Sequence, residues 1–269
     1  MNDRPLTVTL VRRTARDAAV AAGHFILSHF RRLRQQDIHY KGANDLVTFV
    51  DRKAETLIAA KLKAVFPDHG LLAEESGSHG RKKGLLWVVD PLDGTTNFVH
   101  GLPHFSVSLA LLHDQRPIFG LIHDPLRRET FSAWLGQGAL LNGRTVSVSG
   151  RAGLKGALGS TGFPFRSPAL RERYMLAFRD FIDRSKDSRR CGSAALDLAY
   201  VACGRYDYFW EAFLQPWDFL AGALIVEEAG GRAGNFQGQP LGLRPDTVIA
   251  ANATLYPRVL GIIQKHFRP

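Results

Sequence analysis

Along the first third of the chain the apolar positions keep a helical period. Val11, Ala15, Ala18, Ala22, Phe25, His29 and Leu33 recur at three- and four-residue spacings. Arg12, Arg13, Arg16, Arg31, Arg32 and Arg34 fall on the other face. This pattern predicts an amphipathic helix. A second helix is predicted over 51–65, with Ala54, Leu57, Ile58, Leu62 and Val65 on one side. Pro67-Asp68 stops it, because proline cannot continue the helical hydrogen-bond ladder. The rhythm then shortens, and strands are predicted over 71–73, 87–89, 105–112, 118–122 and 131–134. Asp114-Gln115 marks one turn between them. Asn142-Gly143 marks another, since both residues tolerate positive φ. In the second half, strands over 158–161, 206–210 and 248–251 alternate with helices over 168–182, 193–203, 219–229 and 255–267. Alternation of this kind indicates an α/β chain. It reads as one large domain spanning 1–269, in two layered halves with a soft boundary near 145–155.

Composition removes several classes. The chain has 269 residues, of which 45% are hydrophobic and 22% charged, so a disordered or collagen-like chain is excluded. Lys and Arg exceed Asp and Glu by ten. That surplus is compatible with an anionic small molecule, RNA or an acidic protein. The two cysteines, Cys191 and Cys203, form no Cys-x-x-Cys pair, so a zinc ribbon or disulfide scaffold is not expected. They point to a reducing, cytoplasmic setting. The apolar run at 8–11 is cut by Arg12 and Arg13, unlike a signal peptide. No apolar run is long enough to predict a membrane span. Seven histidines, His39, His69, His79, His100, His104, His113 and His123, lack a helical metal spacing and are expected in surface or core roles. His100 and His104 flank the acidic motif described next, and Cys191 is expected as a small buried packer.

The chemistry gathers in acid. Residues 87–97 read Trp-Val-Val-Asp90-Pro-Leu-Asp93-Gly94-Thr95-Thr96-Asn97. An apolar strand delivers Asp90, a turn through Pro91 is expected, and Asp93 follows. Gly94 permits a backbone conformation closed to side chains. Two carboxylates followed by hydroxyl and amide donors suit a hard cation together with a phosphate. Glu74-Glu75 also ends a strand, and Asp51 and Asp218 each start a helix. Taken singly, each has an ordinary explanation as a cap or a solvated charge. As four clusters at strand ends and helix starts, they suggest one cation site.

The run Asp90-Pro-Leu-Asp93-Gly-Thr-Thr-Asn97-Phe98, with Pro216-Trp-Asp218-Phe-Leu-Ala-Gly222 and the later Glu-Ala-Gly-Gly231, resembles the paired signatures of the inositol monophosphatase family. Asp45-Leu-Val-Thr48, Asp51, Glu74-Glu75-Ser76 and Gly192-Ser-Ala-Ala-Leu-Asp-Leu-Ala-Tyr200 extend the likeness over roughly 10–265. Gly162-Phe-Pro-Phe165 and Arg189-Arg190 are most similar to its bacterial SuhB-type branch. The resemblance implies a five-layer αβαβα sandwich and hydrolysis of inositol 1-phosphate or a similar polyol phosphate. Histidinol phosphate and nucleotide bisphosphates are the alternative substrates within the family. It implies Mg2+ on Glu74, Asp90, Asp93, Asp218 and the Leu92 carbonyl, and sensitivity to lithium. Asp51 and Thr95, with Glu74, would position and activate the attacking water. The Gly94 and Thr95 amides would hold the phosphate beside Asp93. Gly192, Ser193, Ala194, Glu211 and Asp218 would meet the polyol. Trp210 beside Glu211 is read as bearing on substrate preference. A homodimer is implied, as is an association with transcription and ribosomal RNA antitermination complexes. Arg12, Arg13, Arg16, Arg31, Arg32, Arg34, Arg81, Lys82, Lys83, Arg184, Lys186, Arg189 and Arg190 would serve an RNA partner only weakly. Neither Gly-x-Ser-x-Gly nor a P-loop sequence occurs, so a serine-hydrolase triad and a P-loop nucleotidase are not expected.

Overall fold

The N-terminal period produces α1 (Val8–His29), whose first turn is capped by the Thr7 hydroxyl accepting from the Leu10 amide at 3.2 Å. The computed structural model describes residues 7–42, 45–80, 84–165, 168–244 and 246–267. Helix α1 stops before the expected Leu33. Phe30 turns to extended backbone and Arg31 adopts φ 61°. A short hairpin, β1 (Ile38–Gly42) with β2 (Asp45–Thr48), leads into α2 (Phe49–Val65). That hairpin escapes prediction because its strands carry no alternating apolar run. Helix α2 begins two residues ahead of Asp51. Thr48 is the cap, and its amide donates to Asp51 Oδ2 at 2.8 Å.

The middle of the chain supplies β3 (Gly70–Ala73), β4 (Gly77–His79), β5 (Leu85–Asp93), the short helix α3 (Thr95–Val99), β6 (Ser106–His113), β7 (Arg116–Asp124), β8 (Glu129–Trp134), β9 (Ala139–Leu141) and β10 (Arg144–Val146). Its strands form one sheet in the order β10-β9-β8-β7-β6-β5-β3-β4, in which only β3 and β5 run parallel. Both predicted turns occur. Asp114 and Gln115 take φ 48° and 69° between β6 and β7, and Asn142 and Gly143 take 50° and 80° between β9 and β10. Arg81, Lys82 and Lys83 lie outside the described residues.

The remainder gives β11 (Leu158–Thr161), α4 (Arg171–Arg184), β12 (Asp187–Arg189), α5 (Ala194–Ala202), β13 (Tyr208–Leu214), α6 (Pro216–Glu228), β14 (Gly231–Gly234), β15 (Asp246–Asn252) and α7 (Tyr256–Phe267). The second sheet has the order β12-β11-β13-β15-β14. The strand expected at 206–210 starts at Tyr208 and continues to Leu214. Helix α6 starts at Pro216, ahead of the expected 219, because a first-turn proline has no amide to leave unpaired.

Helices α1 and α2 pack together on β5, β6 and β7. Helices α5 and α6 lie between the two sheets, α6 against β5 to β8 and both helices against β15. Helices α4 and α7 cover the outer face of the second sheet. The result is the expected αβαβα layering. Three apolar cores occupy the spaces between layers: Val50, Trp87 and Leu109 in the first, Leu198, Phe209 and Leu224 in the second, Tyr174, Trp210 and Ile263 in the third. Gly120 sets the depth of α6. A Cβ there would lie 2.6 Å from the Ala221 carbonyl oxygen, so helix backbone rests directly on strand backbone. Among the described residues no helix is long and apolar enough to cross a membrane.

Candidate functional site

Strand β5 carries two of the acids. Its pairing with β6 is regular up to Asp90↔Ser108, then jumps to Asp93↔Ser106. Pro91 and Leu92 therefore form an irregularity inside the strand, where a turn was expected. The Leu92 amide donates to Asp90 Oδ1 at 2.9 Å, which fixes that carboxylate locally. The chain turns at Gly94, with φ 96°. A Cβ at this position would lie 3.0 Å from the His104 carbonyl oxygen and 3.2 Å from that of Gly192. Glycine is required both for the backbone angle and for the close approach.

Asp90 is 2% exposed, while Glu74, Asp93 and Asp218 are partly exposed. The Glu74 amide donates to the Val89 carbonyl at 3.1 Å, which holds the end of β3 beside β5. Asp218 is the third residue of α6, and its Oδ2 accepts the Gln215 amide at 2.8 Å. The Ser108 hydroxyl donates to the Trp217 carbonyl at 3.0 Å and ties the start of α6 to β6.

Charge repulsion reaches Asp90 and Asp218 from the other acids. Loss of hydration pushes Asp90 well above the usual carboxylate range, and Glu74, Asp93 and Asp218 push it further. Asp218 is raised in the same way, by burial and then by Asp93 and Glu74. Burial lifts Asp93 to about 6, against the Ser193 hydroxyl, the Ala195 and Ala194 amides and the Arg190 charge. Oxygen-only donors that repel one another suit a small hard cation, which offsets the repulsion. The Leu92 carbonyl, accepting from the Thr95 hydroxyl at 3.0 Å, faces the same loop. The donor set fits magnesium.

A pH dependence follows. Folding raises the pKa of Asp90, Asp93 and Asp218, so the folded metal-free protein binds more protons than the unfolded chain. This contribution to stability is fully present below the unfolded value of 3.8 and is lost as pH rises through about 6 for Asp93. Melting temperatures in chelator are expected to fall between about pH 5 and about pH 8, and magnesium is expected to stabilise more at the upper end. Equal magnesium stabilisation at both ends would remove the carboxylate cluster as its site.

Asp51 and Thr95 meet as the motif spacing alone could not show. The Thr95 hydroxyl lies 2.9 Å from Asp51 Oδ1, while Asp51 Oδ2 accepts the Thr48 amide at 2.8 Å and hydroxyl at 2.7 Å. Burial raises Asp51, and these hydrogen bonds oppose the rise. Asp51 is thus a fixed carboxylate one hydroxyl away from the Leu92 carbonyl. The side chain of Asp45 is outside the described residues.

The opposite wall comes from the second half. Gly192 has φ 86°, and Ser193 caps α5. The Ser193 hydroxyl donates to Asp93 Oδ2 at 2.6 Å; with the Ala195 amide at 2.8 Å it orients that acid. Glu211 reaches the site from β13, and burial raises it to about 7, opposed by Arg190 and reinforced by Asp93. It lies flat on Gly162, where a Cβ would fall 1.8 Å from its Oε1. Trp210 does not accompany it. Side chains alternate along β13, so Trp210 enters the outer core while Glu211 faces inward. Trp210, adjacent to Glu211 in sequence, therefore lies on the opposite face of the strand.

Two residues were not assigned to the site from sequence. Arg190, read as part of a basic surface and of the family likeness, acts on Asp93, Glu211 and Asp197, and lies 6.0 and 5.5 Å over the Phe163 and Phe165 rings. Its position immediately before Cys191-Gly192 was the available signal. Asn97 Nδ2 lies 2.8 Å from both the His104 and Cys191 carbonyl oxygens and joins the β5 loop to the α5 loop. His100 is exposed, and the His104 ring lies 6.1 Å from Tyr200 in an edge-on contact.

Comparison with known proteins agrees with this fold. The model of the inositol monophosphatase family matches residues 8–268. The Nus factor SuhB of Pseudomonas aeruginosa is 46% identical over 257 residues, covering 94% of this chain and 95% of that protein. The crystal structure of the extragenic suppressor protein suhB from Bartonella henselae superposes with a TM-score of 0.91 at 38% identity, covering 95% of this chain and 99% of the other. The inositol monophosphatase from Anabaena (Nostoc) sp. PCC 7120 gives a TM-score of 0.83 at 34% identity, covering 96% and 97%.

Proposed function

The chain belongs to the inositol monophosphatase family, and from that premise we propose that it is a magnesium-dependent phosphatase hydrolysing inositol 1-phosphate or a related polyol phosphate. The observation that carries the reading is the meeting of Glu74, Asp90, Asp93 and Asp218 beside the Asp51–Thr95 pair. Glu74, Asp90, Asp93, Asp218 and the Leu92 carbonyl would hold magnesium. That ion would neutralise phosphate charge and make water more acidic.

The chain's own groups do the rest. Asp51, fixed by Thr48, accepts the proton of the attacking water by way of the Thr95 hydroxyl. Water oxygen forms a new bond to phosphorus as the ester oxygen departs with the bonding pair. The departing oxygen takes up a proton, so the net change is addition of one water. The Gly94 and Thr95 amides bind phosphate oxygens. Gly192 and Ala194 approach the polyol, and Glu211 accepts hydrogen bonds from its hydroxyls. Phosphate release from inositol 1-phosphate with and without magnesium tests the activity. No release from inositol 1-phosphate or any other phosphate monoester by the folded protein would end the reading.

Glu211 gives a finer expectation. A hydrogen bond to a charged group contributes about 1.5–3 kcal/mol. Glu211→Gln should therefore lower kcat/KM for inositol 1-phosphate by about 10- to 100-fold, while a simple aryl phosphate lacking hydroxyls changes little. Equal losses on both substrates would place Glu211 outside polyol recognition. Histidinol phosphate and nucleotide bisphosphates belong in the same panel.

A second reading rests on the 46% identity to a Nus factor: association with the transcription machinery, as a homodimer in the cytoplasm. Both cysteines are free, as a reducing compartment requires. Direct RNA contact would weaken steeply with salt. A salt-independent affinity, or none, would remove RNA as the partner.

A further inference from the structure

Beside the start of α5, three side chains from separate segments come together. A ring nitrogen of His104, Sγ of Cys191 and a carboxylate oxygen of Asp197 all lie within 4.8 Å of one another. His104 belongs to the loop between α3 and β6, Cys191 follows β12, and Asp197 stands on the first turn of α5. Asn97 bridges the two loops through the carbonyls of His104 and Cys191, so the arms of the cluster are tied at the backbone. The Tyr206 hydroxyl is 3.4 Å from Cys191 Sγ.

Asp197 is 1% exposed, and its Oδ1 is buried with no hydrogen-bond partner among the described residues. His104 Nε2 is likewise buried and unpartnered. Burying a polar atom without a partner is costly, and more so for a carboxylate. Two residues with such atoms, gathered beside a thiol, therefore point to a ligand that satisfies them. A nitrogen, sulfur and oxygen set differs in kind from the all-oxygen cluster. Imidazole and thiolate favour borderline-soft divalent ions, whereas magnesium takes oxygen.

We propose that His104, Cys191 and Asp197 form a second metal site, selective for zinc-type divalent ions and separate from the carboxylate cluster. Zinc bonds of ~2.0–2.3 Å in a tetrahedral site keep ligand atoms roughly 3.3–3.8 Å apart. On binding, the Cys191 S–H bond breaks, its proton goes to solvent and the sulfur electron pair goes to the metal. His104 enters as the neutral base, since burial and Arg127 hold its pKa down at about 4. Thiolate and carboxylate together balance a dication. The ion also offsets the repulsion that Glu211 and Asp93 impose on Asp197. The histidine spacing gave no sign of this, because His104 lies far in sequence from Cys191 and Asp197, in a separate loop.

Cobalt is the probe, added to the reduced full chain with excess magnesium to occupy the carboxylate cluster. One equivalent should give tetrahedral visible bands and a thiolate-to-cobalt charge-transfer band, both removed by zinc. Cys191→Ser should abolish the charge-transfer band, and Cys203→Ser should leave it. His104→Gln should weaken the visible bands, and it decides the matter if Cys191→Ser does not fold. No charge-transfer band in the folded native protein, as when water satisfies these groups instead, overturns the site. So does a band that survives Cys191→Ser. Cobalt spectra do not depend on turnover, so they stand apart from the success or failure of the phosphatase assay.

Discussion

Asp93→Asn should abolish phosphate release while leaving the protein folded and, without metal, more stable than the native chain. Asparagine keeps the shape, and its oxygen can still accept the Ser193 hydroxyl and the Ala195 amide, which reach the native carboxylate at 2.6 and 2.8 Å. What it removes is one negative charge that raises the pKa of Asp90 and of Asp218. Turnover is expected to drop by at least about 1,000-fold, the scale on which loss of charge stabilisation acts in an active site. In chelator the melting temperature should rise, because the repulsion on Asp90 and Asp218 is relieved. Magnesium should no longer raise it. Inactivity with a raised metal-free melting point separates loss of a ligand from loss of the fold. A variant within tenfold of native turnover would mean that the reaction, if any, happens elsewhere.

Replacement of Trp210 by alanine is expected to cost about 3–5 kcal/mol of stability without changing substrate preference. The indole is fully buried and stacks at 4.3 Å on Tyr174 and 5.2 Å on Phe181, with Phe236 at 6.3 Å. Its removal would leave a cavity lined by three aromatic rings, too rigid a surround to collapse. At roughly 2–4 °C per kcal/mol for a chain near this size, the melting temperature should fall by about 10 °C. Trp210→Phe should lose much less, because the ring stack is retained and the indole nitrogen, which has no hydrogen-bond partner among the described residues, disappears. Calorimetry of both variants, with the kcat/KM ratio for inositol 1-phosphate over an aryl phosphate, checks this. A changed ratio with unchanged stability would return Trp210 to the substrate side.

Trp210 also illustrates how far the sequence could be read. Its adjacency to Glu211 suggested a shared role, yet alternation along a strand places neighbours on opposite faces. The information was present, but applying it required knowing that residues 208–214 form a strand. Asp93 was legible as an acid three residues after the one that ends an apolar strand. That Ser193 would orient it was not, because the two residues meet only when α5 is brought across to β5. The Thr48–Asp51 box was readable locally, whereas the Thr95–Asp51 contact needs α2 and α3 to converge.

Signals confined to a few residues were sufficient for most helices, both tight turns and the identity of the acids, since period, proline, glycine and Asn-Gly act on the backbone where they stand. The motif pair was enough to name the family. Only the tertiary structure decided which acids feel one another's charge, which face of β13 carries Glu211, that the Arg190 charge acts on Asp93, Glu211 and Asp197, and that His104, Cys191 and Asp197 meet. Those outcomes depend on sheet order, on α5 and α6 lying between two sheets, and on close approaches such as Gly120 to Ala221. Burial and repulsion among charges depend on distance in space, which no local pattern in the chain encodes.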